Sequence, residues 1–148
     1  MKSKIYSGFD EAVADIPDGS TIMSPGFGGV GVPRNLIAAL HRQGARELTC
    51  ISNNAGALDE HVDVGTLVEA GQMKKMICAF TAPTHPSRIT PFVRMYNNDE
   101  VEAELVPQGT MAERIRAAAF GIGGFYTPTS VGTELAEGKE HRQIDGRT

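Results

Sequence analysis

A glycine-rich run, Pro25-Gly26-Phe27-Gly28-Gly29-Val30-Gly31, lies between a short apolar segment, Thr21 to Ser24, and a helical pattern that opens at Pro33. No other feature restricts the fold as much. Glycines at this density let the backbone adopt positive φ and come close to a neighbour or a ligand. A strand, such a loop and a helix in direct succession form a βα unit, the building block of a parallel sheet.

The rest of the chain repeats that alternation. Phe9, Val13 and Ile16 share a face and predict a helix over Phe9 to Asp15, and Pro17-Asp18-Gly19 turns the chain into the first strand, Thr21 to Ser24. Leu36, Ile37, Leu40 and His41 recur at helical spacing until Gly44, and Glu47 to Ser52 is a second strand followed by Asn53-Asn54-Ala55-Gly56. Leu67 to Gly71 closes a short helix, Lys75 to Phe80 is a third strand, and the prolines between Thr81 and Pro91 predict a loop before a brief helix over Phe92 to Tyr96. In Glu100 to Val106, Val101, Ala103 and Leu105 alternate with Glu102 and Glu104, as expected of an edge strand with one wet face. Thr110 and Glu113 have capping-box spacing and predict a helix over Met111 to Ala119. Beyond Phe120 the chain is glycine-rich and irregular. The fold class is therefore α/β, with an open, mainly parallel sheet flanked by helices.

At 148 residues the chain is expected to form one domain, residues 1–148. A formal net charge of -4 with no basic run gives no field for a nucleic acid, and no segment is apolar for long enough to span a bilayer. The start, Met1-Lys2-Ser3-Lys4-Ile5-Tyr6, lacks the apolar core of a signal peptide, so a cytoplasmic protein is expected. Cys50 and Cys78 each fall in an apolar strand run and are expected to be reduced core residues.

Chemistry is expected where strands end. The glycine loop, Asn53-Asn54 and Pro107-Gln108-Gly109 each follow a strand, and in a parallel sheet these ends share one edge. Backbone N–H groups at glycines can stabilise an oxyanion or phosphate, and uncharged amides can bind a carboxylate, so the implied ligand is anionic. Gly26-x-Gly28-x-x-Gly31 also fits the dinucleotide fingerprint, but that motif needs an acid at the end of the next strand, where this chain has Ile51, Ser52 and Asn53. Asp59-Glu60-His61 with Asp63 has no second histidine at ligand spacing and reads as a charged turn, so no metal is expected. His85 reads as a loop residue, His41 as a structural residue near a helix C-terminus, and Arg114 and Arg116 as a solvated face. No nucleophile with an adjacent base is evident.

These segments are similar, in order, to blocks of the family I CoA-transferases, in the A subunit. Asp18-Gly19, Gly26-Phe27 and Gly31-Val32-Pro33 resemble the family signature, and Ser52 to Gly56, Pro107 to Arg116, Phe125 to Thr129 and Val131 to Thr133 match further blocks. The resemblance implies the CoA-transferase fold and a reaction that moves CoA from an acyl-CoA, commonly succinyl-CoA, to a 3-oxoacid by ping-pong covalent catalysis. It places the reactive glutamate in a B subunit, so no catalytic residue is expected in this chain, and coenzyme A is a substrate with no resident cofactor. The implied partners are that CoA-transferase B subunit in a hetero-oligomer, an acyl-CoA and small carboxylic acids. Carried over by residue, Asn53, Asn54 and Gln108 line the carboxylate pocket, and Gly26, Phe27, Gly28, Gly29 and Gly31 shape the loop over it. Leu135 to Glu140 and Ile144 to Arg147 look most like the 3-oxoacid and 3-oxoadipate branch.

The chain departs from the family in three places. Ser24-Pro25 stands where the family has an apolar residue and glycine, which stiffens the way into the loop, and Thr81 to Asn97 differs from familiar members. Family A subunits also continue past the Asp145-Gly146-Arg147 block, which implies a domain lacking its C-terminal part. Two other readings remain open at this level: a stand-alone module that binds CoA or a small carboxylate, and a non-functional remnant of a subunit.

Overall fold

The computed structural model describes residues 4–56, 61–81 and 89–147. Asp59-Glu60 and His85 lie outside them. The elements are α1 (Phe9–Val13), β1 (Thr21–Ser24), α2 (Arg34–Gln43), β2 (Leu48–Ser52), α3 (Val64–Glu69), β3 (Met73–Cys78), α4 (Pro91–Asn97), β4 (Glu102–Leu105) and α5 (Gln108–Phe120), followed by a 3-10 turn at Glu134–Ala136. The strands form one four-stranded sheet in the order β1-β2-β3-β4, and every pairing is parallel. The expected α/β architecture is present, with a described sheet that is wholly parallel.

Sequential order with right-handed crossovers places α2, α3 and α4 on one face. Packing follows that order, α1 on α2, α2 on α3 and α3 on α4. The face below them carries Ile22, Cys50, Met76 and Ala103 in register, with Leu48, Ser52 and Cys78 on the same side. Leu48, Cys50, Met76 and Cys78 are fully buried there with Leu67, Val68 and Phe92. The opposite face carries Met23, Ile51, Ile77 and Glu104 in register and is only half covered.

Turn chemistry sets the register. Gly19 takes φ 74. Its N–H donates to Arg46 O at 2.8 Å, and Asp18 Oδ1 accepts from Arg46 N at 2.7 Å, so the Asp18-Gly19 turn delivers β1 alongside β2. Gly44 ends α2 in the left-handed conformation. Buried Gln72 joins that helix end to β3: Nε2 donates to Ala45 O at 2.9 Å, and Oε1 accepts from His41 Nδ1 at 2.7 Å. His41 is thus structural, as expected. Both cysteines are free and buried, and burial pushes the Cys50 thiol up to about 12 and the Cys78 thiol up to about 11.

The structure corrects several boundaries. β3 begins two residues earlier than predicted because Met73 packs into the core. It ends at Cys78 because Ala79 and Phe80 both turn their N–H groups to Asn53 O, at 3.0 and 3.4 Å. The capping box at Thr110 and Glu113 does not form. Pro107 O accepts from Met111 N at 2.9 Å, so α5 starts at Gln108 and Thr110 is already inside its first turn. Caps appear elsewhere, with Thr90 Oγ1 accepting from Val93 N ahead of Pro91, and Asp63 and Thr66 forming a capping box on α3. Leu105 is exposed, so the inward alternation of β4 holds only through Val101 and Ala103.

Candidate functional site

Because all four strands run the same way, the loops after them meet at one edge, as the sequence predicts. After β1 the chain folds into a tight hairpin. Phe27 and Val30 exchange N–H···O bonds of 2.9 and 3.1 Å, and Gly28-Gly29 form its tip. Gly26, Gly28 and Gly31 take φ of 126, 58 and 76. A Cβ on Gly26 would lie 2.8 Å from Val32 Cγ2 and 3.2 Å from Val30 O, so only glycine lets the chain return beneath its own loop.

Three loops then interlock. Gly28 N–H donates to Asn54 Oδ1 at 3.1 Å, which hangs the hairpin tip on the loop after β2. Asn53 O accepts from Ala79 N, and Asn54 bridges Phe80, which ties that loop to the one after β3. The Phe80 ring returns to Phe27 with centroids 6.0 Å apart, which closes the circle. From the other side Arg34, first residue of α2, donates from Nη2 to Gly29 O at 3.0 Å.

Three polar atoms there are buried without partners among the described residues. Among the described residues Asn53 Oδ1 and Nδ2 make no hydrogen bond, and neither does Arg34 Nη1. Buried polar atoms in this condition are rare and costly, and a ligand is one physical reason for keeping them. The Asn53 amide offers a donor and an acceptor and no charge, a combination suited to a carboxylate or a developing oxyanion. The hairpin does not resemble a dinucleotide cradle. The N–H groups of Phe27, Gly28 and Val30 are already engaged.

Of the predicted residues, Gly26, Phe27, Gly28, Gly29, Gly31, Asn53 and Asn54 are brought together. Gln108 is not, since it opens α5 as an exposed residue beyond β4, and among the described residues no hydrogen bond links it to the hairpin. Among the described residues no cluster of His, Cys, Asp or Glu could hold a metal. No helix among them is long and apolar enough to cross a membrane. Sequence reasoning missed Arg34, although a cation in the first turn after a glycine loop is a readable signal.

It also missed a cleft of about 540 Å³ where Pro107 and Thr110 of the α5 start meet Phe125, Tyr126, Lys139 and Arg147 of the irregular C-terminal stretch. Thr110 Oγ1 is buried there without a partner among the described residues. Arg114 lines the cleft and pairs with Glu104 at 2.8 Å, while Lys75 reaches the same carboxylate at 3.0 Å, so Glu104 ties β3, β4 and α5 together.

The family model for coenzyme A transferase matches residues 6–148. The chain is 48% identical to the A subunit of 3-oxoadipate CoA-transferase from Pseudomonas putida, over 99% of this chain and 62% of that protein. It is 47% identical to the A subunit of the probable succinyl-CoA:3-ketoacid coenzyme A transferase of Bacillus subtilis, over 98% of this chain and 58% of that one. It therefore spans about three fifths of the length of these relatives. Glutaconate coenzyme A-transferase from Acidaminococcus fermentans shares the fold, with a TM-score of 0.73 at 22% identity over 91% of this chain and 41% of that one. The decarboxylase AibA/AibB is similar as well, with a TM-score of 0.72 at 28% identity over 92% of this chain and 51% of that one.

Proposed function

The chain belongs to the coenzyme A transferase family, as an A subunit of the 3-oxoacid and 3-oxoadipate type, and on that premise we propose that it builds the acyl pocket of a two-subunit enzyme. Residues 1–148 act as one domain in this reading. The donor is an acyl-CoA, with succinyl-CoA favoured by the relatives' names, the acceptor is a 3-oxoacid carboxylate, and the setting is the cytoplasm. Coenzyme A passes through as a substrate.

The donor carbonyl is attacked by a glutamate of the B subunit, releasing CoA thiolate and leaving a mixed anhydride. The thiolate then attacks the glutamyl carbonyl, freeing the donor acid and leaving an enzyme thioester, and the acceptor carboxylate runs these steps in reverse. This chain's part is to hold the carboxylate and to stabilise negative charge as it forms. Gly26, Phe27, Gly28, Gly29 and Gly31 form the loop over the pocket, Asn53 supplies its polar contact and Asn54 stands behind the hairpin, while Gln108, expected from the family resemblance to join them, lies apart at the start of α5. The observation that carries the reading is the Asn53 amide, whose two polar atoms are buried and unpaired among the described residues beside the glycine hairpin. A fold shared with a decarboxylase leaves the chemistry to be decided by the site.

The test is to mix the chain with a CoA-transferase B subunit, then to assay succinyl-CoA-dependent transfer to acetoacetate and to 3-oxoadipate. Transfer is expected from the complex and from neither chain alone. A formed complex that is inactive with both acceptors would sink the proposal.

A further inference from the structure

The tip of the glycine hairpin is held at both of its residues by side chains from different elements. Asn54 Oδ1 accepts from Gly28 N–H at 3.1 Å, and Arg34 Nη2 donates to Gly29 O at 3.0 Å. A two-residue tip has four backbone polar groups, and these contacts use one from each glycine. Among the described residues, Gly28 C=O and Gly29 N–H are left uncommitted. Neither side chain makes any other hydrogen bond among the described residues. The Asn54 amide is oriented by the contact, since a backbone N–H needs the oxygen facing it.

We propose that Asn54 and Arg34 are positioning residues, which fix the Gly28-Gly29 tip so that Gly29 N–H is presented as a rigid donor, while Asn53 makes the direct polar contact with the carboxylate. This deepens the function proposed above and rests on it. The physical reason is preorganisation. Glycines at φ 126, 58 and 76 give a loop that is cheap to bend and costly to freeze, so a donor on it is useful only if something else immobilises the backbone. Exposed Phe27 and Val30 supply no deep packing to do so, whereas Asn54 is 5% exposed and sits on the sheet. Arg34 is set by the start of α2 and holds the second glycine of the tip.

Hydrogen exchange and amide chemical shift at Gly28 test the clamp in the isotopically labelled chain, alone and without ligand. Asn54→Ala and Arg34→Ala are expected to speed Gly28 exchange roughly tenfold each, about the worth of one lost hydrogen bond, while amides of β2 and β3 keep their rates. Asn54→Asp keeps an acceptor and is expected to restore both the shift and the slow exchange. Unchanged Gly28 exchange in Asn54→Ala, or Asn54→Asp behaving like Asn54→Ala, would overturn the assignment of Asn54, and unchanged exchange in Arg34→Ala would overturn that of Arg34. In the reconstituted two-subunit enzyme, the alanine variants are expected to lower kcat more than they raise KM for the carboxylate. A change confined to KM would mean direct substrate contact, against the proposal. If the wild-type chain together with the B subunit transfers no CoA, the functional reading fails, yet the Gly28 measurements still decide whether the clamp exists.

Discussion

At Gly56 the loop after β2 passes so close to α3 that a Cβ would stand 2.7 Å from both Cα and N of Gly65, with φ at 96. Those are backbone atoms, which cannot swing aside. Gly56→Ala should therefore combine backbone strain with overpacking and cost more than about 3 kcal/mol. Gly28→Ala takes φ 58 with nothing within 4 Å, so only the left-handed penalty of roughly 1–2 kcal/mol applies. Urea midpoints of the two variants should differ in that order, and equal midpoints would contradict the geometry. The thiols give a second prediction. Burial raises Cys50 to about 12 and Cys78 to about 11 from an ordinary 9.0, so the folded state holds both protons where the unfolded state has lost them. That stabilisation is complete below pH 9.0 and is lost as pH climbs toward 11 and 12. Ellman's reagent at pH 8 should leave both thiols unmodified until urea unfolds the chain, and fast labelling of the native protein would refute their burial.

Elements were legible where a pattern was strongly periodic and obscured where two local signals competed. β1 and α2 follow the sequence closely, because turn glycines bound them on both sides. Thr110 and Thr90 show the ambiguity: each has cap chemistry, but Pro107 starts α5 three residues early and removes Thr110 from the cap, while Pro91 sets Thr90 at one. The site divides similarly. The hairpin and Asn53-Asn54 could be placed at one edge from strand order alone, whereas the Asn54 to Gly28 bond spans 26 residues and no local rule reports it. Glu104 carries the prediction at this scale. Hydrogen bonds from Arg114 and then Lys75 hold its carboxyl below the usual 4.5. A depressed value means stability present above the unfolded value and lost as pH falls through the folded one. The group is partly exposed, so Glu104→Gln should cost under about 1 kcal/mol at pH 7. The difference from wild type should shrink as pH drops below 4.5, read as urea midpoints at pH 7 and pH 3. A gap that persists at pH 3 would show that packing, not charge, ties β3, β4 and α5.

Taken whole, the molecule is well anchored on one side of its sheet and loosely covered elsewhere. The contiguous core runs from Val13 to Val101, under α1 to α4. From residue 121 to 147 no residue is buried, and the backbone hydrogen bonds are local: Val131 N to Pro128 O, Ala136 N to Thr133 O, and the pair joining Ile144 to Arg147 around Asp145-Gly146; the side chains of Arg142 and Tyr126 add one longer link. That last turn has φ of 51 and 75 at its two central residues, the geometry that an Asp-Gly pair favours in a tight hairpin. Sequence anticipated an irregular stretch here but not the cleft beneath it, because cleft walls come from segments some 20 to 40 residues apart that share no periodicity. Local bonds and shallow burial confer little resistance to opening, whereas amides of β2 and β3 exchange only when the core itself opens. Hydrogen exchange followed by mass spectrometry on the chain alone should find peptides from 122–147 fully exchanged within seconds and those covering Leu48–Ser52 and Met73–Cys78 slowest of all. Slow exchange across 122–147 would mean that this stretch packs on the sheet as a cooperative part of the core, and the one-sided account of the domain would then be wrong.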